Sequence, residues 1–369
     1  MGHEPIVIAG DENISINCQV SSEDGVKVLR IRTGKRKSAT KVMRAINEIR
    51  LSNIIWKEGK HFFNNHPCDL IIYYSPPIFL GPLVKRLKKK FHCPAYLLLG
   101  DIFPQWAEEM RILRKGLIYY YFKFKQRQSF EAADIIRVQS PANLLYFKNN
   151  GLDKKYHIEV LYNWTTLTKK CLPSNTYRIQ LGLQNKVVFF YGGNLGVAQD
   201  IDNIIYLAEK LQNEPTAYFL LVGDGSEVSR LKAQITSKKL TNISIHDPVD
   251  HEKYMSMLSE FDVGLISLDR RIKSHNFPGK LMDYMYHAKP ILASINPGND
   301  LKEMIEENEA GLVCINGDTD TFAFYARKLL IDNDLRQKLG LNARKLLEST
   351  FSVSKAAGQI LSHFRPGLS

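Results

Sequence analysis

Short, almost unbroken apolar runs recur along this chain, separated by stretches with helical periodicity. Asp69–Tyr74 reads DLIIYY, Ala95–Leu99 AYLLL, Lys186–Tyr191 KVVFFY, Ala217–Val222 AYFLLV and Val263–Ser267 VGLIS. A strand with one wet face alternates apolar and polar residues; these do not. Continuous runs of this length belong to strands buried on both faces, as in parallel sheets covered by helices. The chain is therefore expected to be α/β.

The rest of the chain follows the same beat. Ile6–Ala9 and Val26–Ile31 read as strands and Lys41–Phe63 as a long helix. A helix to Phe91 follows the break at Ser75-Pro76-Pro77. Leu113–Ala133 and Pro141–Asn150 read as helices around strand Ile135–Gln139, and His157–Leu161 closes the first half. The polar stretch Lys169–Thr176 is the expected linker. Beyond it, helices are expected at Ile201–Asn213, Glu227–Lys239, Lys253–Ser259, Lys280–Tyr286 and Asp300–Asn308. Strands are expected at Ile243–His246, Ile291–Ser294 and Gly311–Cys314, with two helices at the end. This is a doubly wound pattern, twice over. The 369 residues suit two domains. The first half differs in one respect: it lacks the opening strand–turn–helix with which such a domain begins.

Composition narrows the function. No run reaches the 18 or so apolar residues of a membrane-spanning helix, and residues 1–5 show no signal-peptide pattern. The five cysteines are scattered, without CxxC spacing or Cys/His clustering, so a reducing cytoplasm and no metal site are expected. Charge is unevenly placed. Residues 1–170 hold 28 Lys+Arg and 15 Asp+Glu, a net of +13, whereas the remainder is close to neutral. An anionic partner for the first half follows. In Leu113–Arg127 (LRKGLIYYYFKFKQR) and Lys85–Phe91 (KRLKKKF), cations mix with aromatic and aliphatic residues, which suits an anionic membrane surface. The alternative is that Tyr119, Tyr120, Phe122 and Phe124 partly face a core, with lysines snorkelling beside them. No nucleic-acid-binding signature accompanies the charge.

Three segments carry candidate chemistry. Strand KVVFFY runs into Gly192-Gly193-Asn194-Leu195-Gly196, and AYFLLV into Gly223-Asp224-Gly225. Glycines at strand-to-helix turns let backbone N–H groups approach a phosphate. This is not the GxGxxG of a nicotinamide site. In Phe277-Pro278-Gly279-Lys280, a turn feeds a short helix carrying Asp283. A carboxylate there can accept from two ribose hydroxyls, and a lysine three residues upstream can meet a phosphate.

Taken in order, FFYGGNLG, LVGDG and FPGKLMDYM resemble the donor domain of family-4 glycosyltransferases of the GT-B fold, in the branch that builds O-antigen, capsule and other surface polysaccharides. Ser75-Pro76-Pro77, Gly100-Asp101-Ile102-Phe103-Pro104, Ala133-Asp134-Ile135-Ile136 and Val160-Leu161-Tyr162-Asn163-Trp164 extend the likeness over nearly the whole chain. The resemblance implies two Rossmann-like domains facing a cleft. Residues 1–168 would be the acceptor side and 177–350 the nucleotide-sugar side, and 351–369 would hold a helix crossing back. It implies a retaining, metal-independent transfer of sugar from a nucleotide-diphospho-sugar, UDP-linked, to a lipid-linked saccharide at the cytoplasmic face of the membrane. Donor-binding roles would fall to Gly192, Gly193, Asn194, Asp224, Val249, His275, Lys280 and Asp283, and catalytic roles to Asp101 and Lys280. Arg270, Arg271 and Lys273 could assist. The sequence departs from the family at two points. Its pair of glutamates eight apart reads His275 and Asp283, and the basic residue after the first glycine turn is replaced by the neighbourhood of Gln199 and Asp200. A non-catalytic nucleotide-sugar-binding or scaffolding subunit is the alternative, and a nucleotide-sugar epimerase a third reading.

Overall fold

The computed structural model describes residues 2–34, 41–167, 176–273, 275 and 277–364. The chain divides into two compact units. Residues 1–138 and 147–159 form the first; residues 139–146 and 160–369 form the second. The expected linker lies outside the described residues apart from Thr176, which opens a short helix.

The first unit opens on three strands: β1 (Ile6–Asp11), β2 (Cys18–Glu23) and β3 (Val26–Arg32). Helix α1 (Lys41–Asn65) follows, then β4 (Ile71–Ser75), α2 (Gly81–Phe91), β5 (Ala95–Leu99), α3 (Gln105–Glu109), α4 (Leu117–Phe130) and β6 (Ile135–Val138). Helix α5 (Asn143–Asn149), whose residues up to Tyr146 belong to the second unit, and β7 (Ile158–Val160) follow. Strands β4-β5-β6-β7 make one sheet, in which β4, β5 and β6 pair in parallel. The opening strands make a second sheet in the order β1-β3-β2. Among the described residues, β1, β2 and β3 precede α1.

Strand β2 is a departure from the sequence expectation. Its sequence, CQVSSE, has no apolar run, and it pairs antiparallel to β3 along its whole length. Cross-strand charge supports the ribbon: Arg30 meets Glu23 at 2.8 Å and Asp11 at 3.2 Å. Leu29 and Ile31 of β3 pack with Leu51, Ile55, Leu83 and Leu87 of α1 and α2.

Helix α4 starts four residues later than Leu113, and the short α3 precedes it where none was expected. Its aromatic residues split between two environments. Tyr119 is buried, and Phe122 packs edge-on against Phe103 at 5.1 Å. Leu117 and Ile118 are 92 % and 63 % exposed, and Tyr120, Phe124 and the preceding Ile112 are exposed too. On α2 the split is cleaner: Leu83, Val84 and Leu87 are buried while Lys88, Lys89 and Lys90 occupy the last turn.

The second unit is a six-stranded sheet between helices. After α6 (Thr176–Gln180) come β8 (Val187–Gly192), α7 (Ile201–Lys210), β9 (Ala217–Val222), α8 (Val228–Ser237), β10 (Ile243–His246) and α9 (His251–Glu260). Then follow β11 (Val263–Ser267), α10 (Lys280–Tyr286), β12 (Ile291–Ile295), α11 (Leu301–Glu307) and β13 (Gly311–Ile315). Three helices close the chain rather than two: α12 (Thr319–Ile331), α13 (Asn333–Thr350) and α14 (Val353–Ser362). Strand order is β10-β9-β8-β11-β12-β13, all parallel. One apolar core lies under α7, α8 and α12; the other lies under α9, α10, α11 and α13. Strand order reverses between β8 and β11. In open α/β sheets, ligands bind outside the carboxyl ends of the strands at such a reversal.

Candidate functional site

The carboxyl end of β8 leads into the first glycine turn, and the chain after β11 leads to Lys280. These are the two strands that flank the reversal. Gly193 has φ +114° and Gly223 φ +157°, values at which a side chain is strained. The two turns abut so closely that a Cβ on Gly223 would lie 1.8 Å from the Gly193 carbonyl oxygen. Backbone bonds stitch them together. Gly193 N donates to Val222 O at 2.9 Å, Leu195 N to Asp224 O at 2.8 Å, and Glu227 N to Leu195 O at 3.1 Å.

Lys280 is the first residue of α10, and its ammonium sits 3.2 Å from the centre of the Tyr191 ring. A Cβ on Gly193 would be 3.8 Å from that ammonium, so the cation lies beside the glycine turn. Burial holds its pKa well below the usual lysine value, with the Asp283 charge pulling the other way. Burial outweighs that pull, so the desolvated cation costs free energy, and an anion bound beside it would recover that cost. Tyr191 is itself fully buried, and its hydroxyl donates to Asn194 O at 2.8 Å.

Asp283 occupies the first turn of α10, and burial pushes its carboxyl up to about 6. His251, the Tyr254 hydroxyl and Lys280 each pull it back down. Burial raises the pKa of the Tyr254 hydroxyl, and the Asp283 charge beside it adds to the rise. The His251 and Tyr254 rings stack 6.4 Å apart at the start of α9. Tyr284 completes the floor: its hydroxyl donates to Leu265 O at 3.1 Å and accepts from Gly192 N at 3.3 Å.

The structure thus brings together Gly192, Gly193, Lys280 and Asp283. Asn194 is exposed, and its amide donates to Gln199 Oε1 at 2.9 Å. Asp224 is exposed, and its carboxylate accepts from its own neighbour, Gly225 N, at 2.7 Å. Val249 is half-buried against the core under α9, one residue before Asp250, which caps that helix through Lys253 N at 2.8 Å. His275 is buried, and its Nδ1 has no partner among the described residues. Of the basic run, Arg271 is paired with Asp269, Nε to Oδ1 at 2.9 Å.

Asp101 belongs to the first unit, on the loop after β5. Its charge and, more strongly, burial raise the pKa of Tyr74, while the buried Arg137 lowers it. Arg137 is itself drawn down to about 10 by burial.

Sequence reasoning missed the tyrosines at positions 191, 254 and 284 and the imidazole at 251 as parts of this site. Tyr191 and Tyr284 stood inside the quoted motifs without an assigned role. Nothing in the sequence around Tyr254 distinguishes it from an ordinary helical aromatic. No group of three or more His, Cys, Asp or Glu among the described residues is placed to hold a metal ion.

Residues 174–346 match the family model described as "Glycosyl transferases group 1". The second unit carries a glycosyl transferases group 1 domain. The glycosyltransferase match extends further in a relative from Escherichia coli (strain K12), the putative colanic acid biosynthesis glycosyl transferase WcaI. It is 24% identical over 310 residues, covering 80% of this chain and 74% of the relative. Among solved structures, sucrose-phosphate synthase from Thermosynechococcus elongatus superposes with a TM-score of 0.76 at 17% identity, covering 99% of this chain and 89% of that one. Anabaena Alr3699/HepE in complex with UDP-glucose does so with a TM-score of 0.67 at 18% identity, covering 84% and 81%. The fold is GT-B, α/β with two Rossmann-like units. The protein is a glycosyltransferase, an enzyme of the hexosyltransferase type.

Proposed function

We propose that the second unit holds a nucleotide-diphospho-sugar, UDP-linked, and that the enzyme transfers its sugar to a lipid-linked saccharide in surface-polysaccharide synthesis. One observation carries the donor assignment. A desolvated lysine ammonium lies beside a glycine turn at the point where strand order reverses, three residues before a buried carboxyl. In this reading Lys280 and the backbone at Gly192, Gly193 and Asn194 take the diphosphate. Asp283 accepts from the ribose hydroxyls, and Val249 lies near the base. The charge that develops on the leaving phosphate is stabilised by Lys280 and backbone N–H groups, which supply electrostatic catalysis without a metal. Asp101 is assigned to catalysis and His275 to the donor, with retention at the anomeric carbon.

The UDP-glucose bound by the Anabaena protein supports the choice of nucleotide, and the colanic acid role in the name of the Escherichia coli relative supports a polysaccharide product. The acceptor end is read from charge and surface. The +13 of residues 1–170, with Leu117, Ile118, Tyr120 and Phe124 exposed on α4, suits peripheral attachment to an anionic membrane at its cytoplasmic face. Among the described residues no helix is long and apolar enough to cross a membrane.

Turnover tests the reading. The protein is incubated with a panel of UDP- and GDP-sugars, with and without a polyprenyl-diphosphate saccharide, and nucleotide release and product mass are followed. Acceptor-dependent release of UDP with a matching gain in acceptor mass is expected. Binding of a nucleotide-sugar without turnover would favour the non-catalytic subunit, the reading suggested by His275 where the family has an acid. Conversion of the donor sugar without any acceptor would point to an epimerase.

A further inference from the structure

The stretch between β11 and α10 brings Lys280 and Asp283 to the glycine turn, yet at His275 its backbone has no strand partner among the described residues. One side chain serves both main-chain groups of this buried residue. His275 N donates to Asn143 Oδ1 at 2.8 Å, and Asn143 Nδ2 donates to His275 O at 2.5 Å. The Ser140 hydroxyl adds a bond to the same carbonyl at 3.3 Å. Asn143 and Ser140 are both buried, within the segment 139–146 of the second unit. A primary amide that accepts from an N–H and donates to the C=O of the same residue reproduces the two-point pairing of a strand neighbour.

Two residues on, a second side chain holds one main-chain group. Asn163 Nδ2 donates to Phe277 O at 3.1 Å, and the Tyr162 ring stacks on Phe277 at 5.4 Å with 10° between planes. Phe277 is buried, and Lys280 begins the helix three residues later. Buried backbone groups left unpaired are costly, so each hold fixes its residue in one place rather than merely touching it.

We propose that Asn143 is a positioning residue of the donor site. It fixes the main chain at His275 and so sets where Lys280 and Asp283 stand against the Gly193 turn; this rests on the donor reading above. The stretch is thus held at His275 and again at Phe277, between the end of β11 and the start of α10. The functional consequence is specific: loss of Asn143 affects the donor more than the fold.

The test pairs two readouts that do not depend on each other. Hydrogen–deuterium exchange is measured on the free protein over residues 275–283, and UDP-sugar affinity by calorimetry, for wild type, Asn143→Ala, Asn143→Asp and Asn242→Ala. Asn242 is a buried control whose Nδ2 donates to Ala208 O at 2.8 Å, far from this loop in the chain. Asn143→Ala is expected to exchange at least tenfold faster over 275–283 and to bind the donor at least tenfold more weakly. Asn143→Asp, which keeps the acceptor for His275 N–H, is expected to fall between, and it serves if the alanine variant does not fold. Asn242→Ala is expected to lose thermal stability and leave both readouts at wild-type values. Wild-type exchange over 275–283 in the Asn143 variants would overturn the proposal whatever the donor does. So would an equal rise over the whole second unit. A local rise in exchange with no nucleotide-sugar bound even by wild type would support the pin and overturn the donor reading instead.

Discussion

Lys280 is held in a place where its charge is a burden to the free protein. Its ammonium lies on the Tyr191 ring with Asp283 as the counter-charge, and burial outweighs that attraction. Lys280→Met keeps the length and removes the charge. The free protein should gain stability, on the order of 1 kcal/mol, while donor affinity falls roughly ten- to a hundredfold from loss of a charge-assisted contact. Denaturant titration and calorimetry read the two signs, and a variant losing both would show the lysine to be structural. Asp283 makes a second case. Its folded pKa, about 6, lies above the ordinary carboxylate value. An acid with a raised pKa costs the fold stability as pH rises through the window between the two values, from about 4 to about 6. Asp283→Asn should therefore stabilise the protein at pH 8 and change little at pH 4. For binding the sign reverses, since the ionised form accepts from two hydroxyls. Wild-type donor affinity should decline as pH falls through about 6, and in Asp283→Asn that dependence should vanish. Part of this was legible beforehand: Gly193, Lys280 and Asp283 lie close to one another in sequence or on recognisable turns. The burial of His275 was not, because Ser140 and Asn143, which hold it, are 135 and 132 residues away along the chain.

The elements repeat that lesson. Strands β5, β9, β10 and β11 and helix α10 fall where the apolar runs place them, because burial on both faces writes itself into the sequence. Strand β2 does not, because an edge strand of polar residues is specified by its register against β3 rather than by its own composition. The five-residue α3 is too short to show a period. At the glycine turns the constraint is steric and sharp. Gly223→Ala would drive a methyl into the Gly193 carbonyl at an unfavourable φ, so a loss of about 2 kcal/mol or more is expected, with donor binding impaired. Gly279, at the start of α10, has nothing within 4 Å of an added Cβ and an ordinary helical φ of −55°. Gly279→Ala should be near neutral in thermal unfolding. If both variants behaved alike, the close approach of the two turns would not be a determinant of the site. On α4 the exposed Leu117 and Ile118 give a separate expectation. Leu117→Ser with Ile118→Ser should reduce sedimentation with anionic phospholipid vesicles several-fold while leaving donor affinity unchanged.

At the scale of the whole molecule, labour is divided by charge and by chemistry. Residues 1–170 carry a net of +13 and the remainder is close to neutral, so the proposed attachment to an anionic surface would rest on the first part and should weaken steeply with salt. The second unit, with its complete six-stranded sheet, holds the glycine turns, the lysine and the carboxyl at the strand-order reversal. The central claim is that this reversal is the nucleotide-sugar site. Calorimetric titration of UDP and a panel of UDP- and GDP-sugars into wild type and Asp283→Ala at pH 7.5 tests it most directly. The account predicts micromolar binding of at least one UDP-sugar by wild type, reduced at least tenfold in Asp283→Ala. Equal affinity in the two proteins, or no binding of any nucleotide or nucleotide-sugar by the folded wild type, would contradict it.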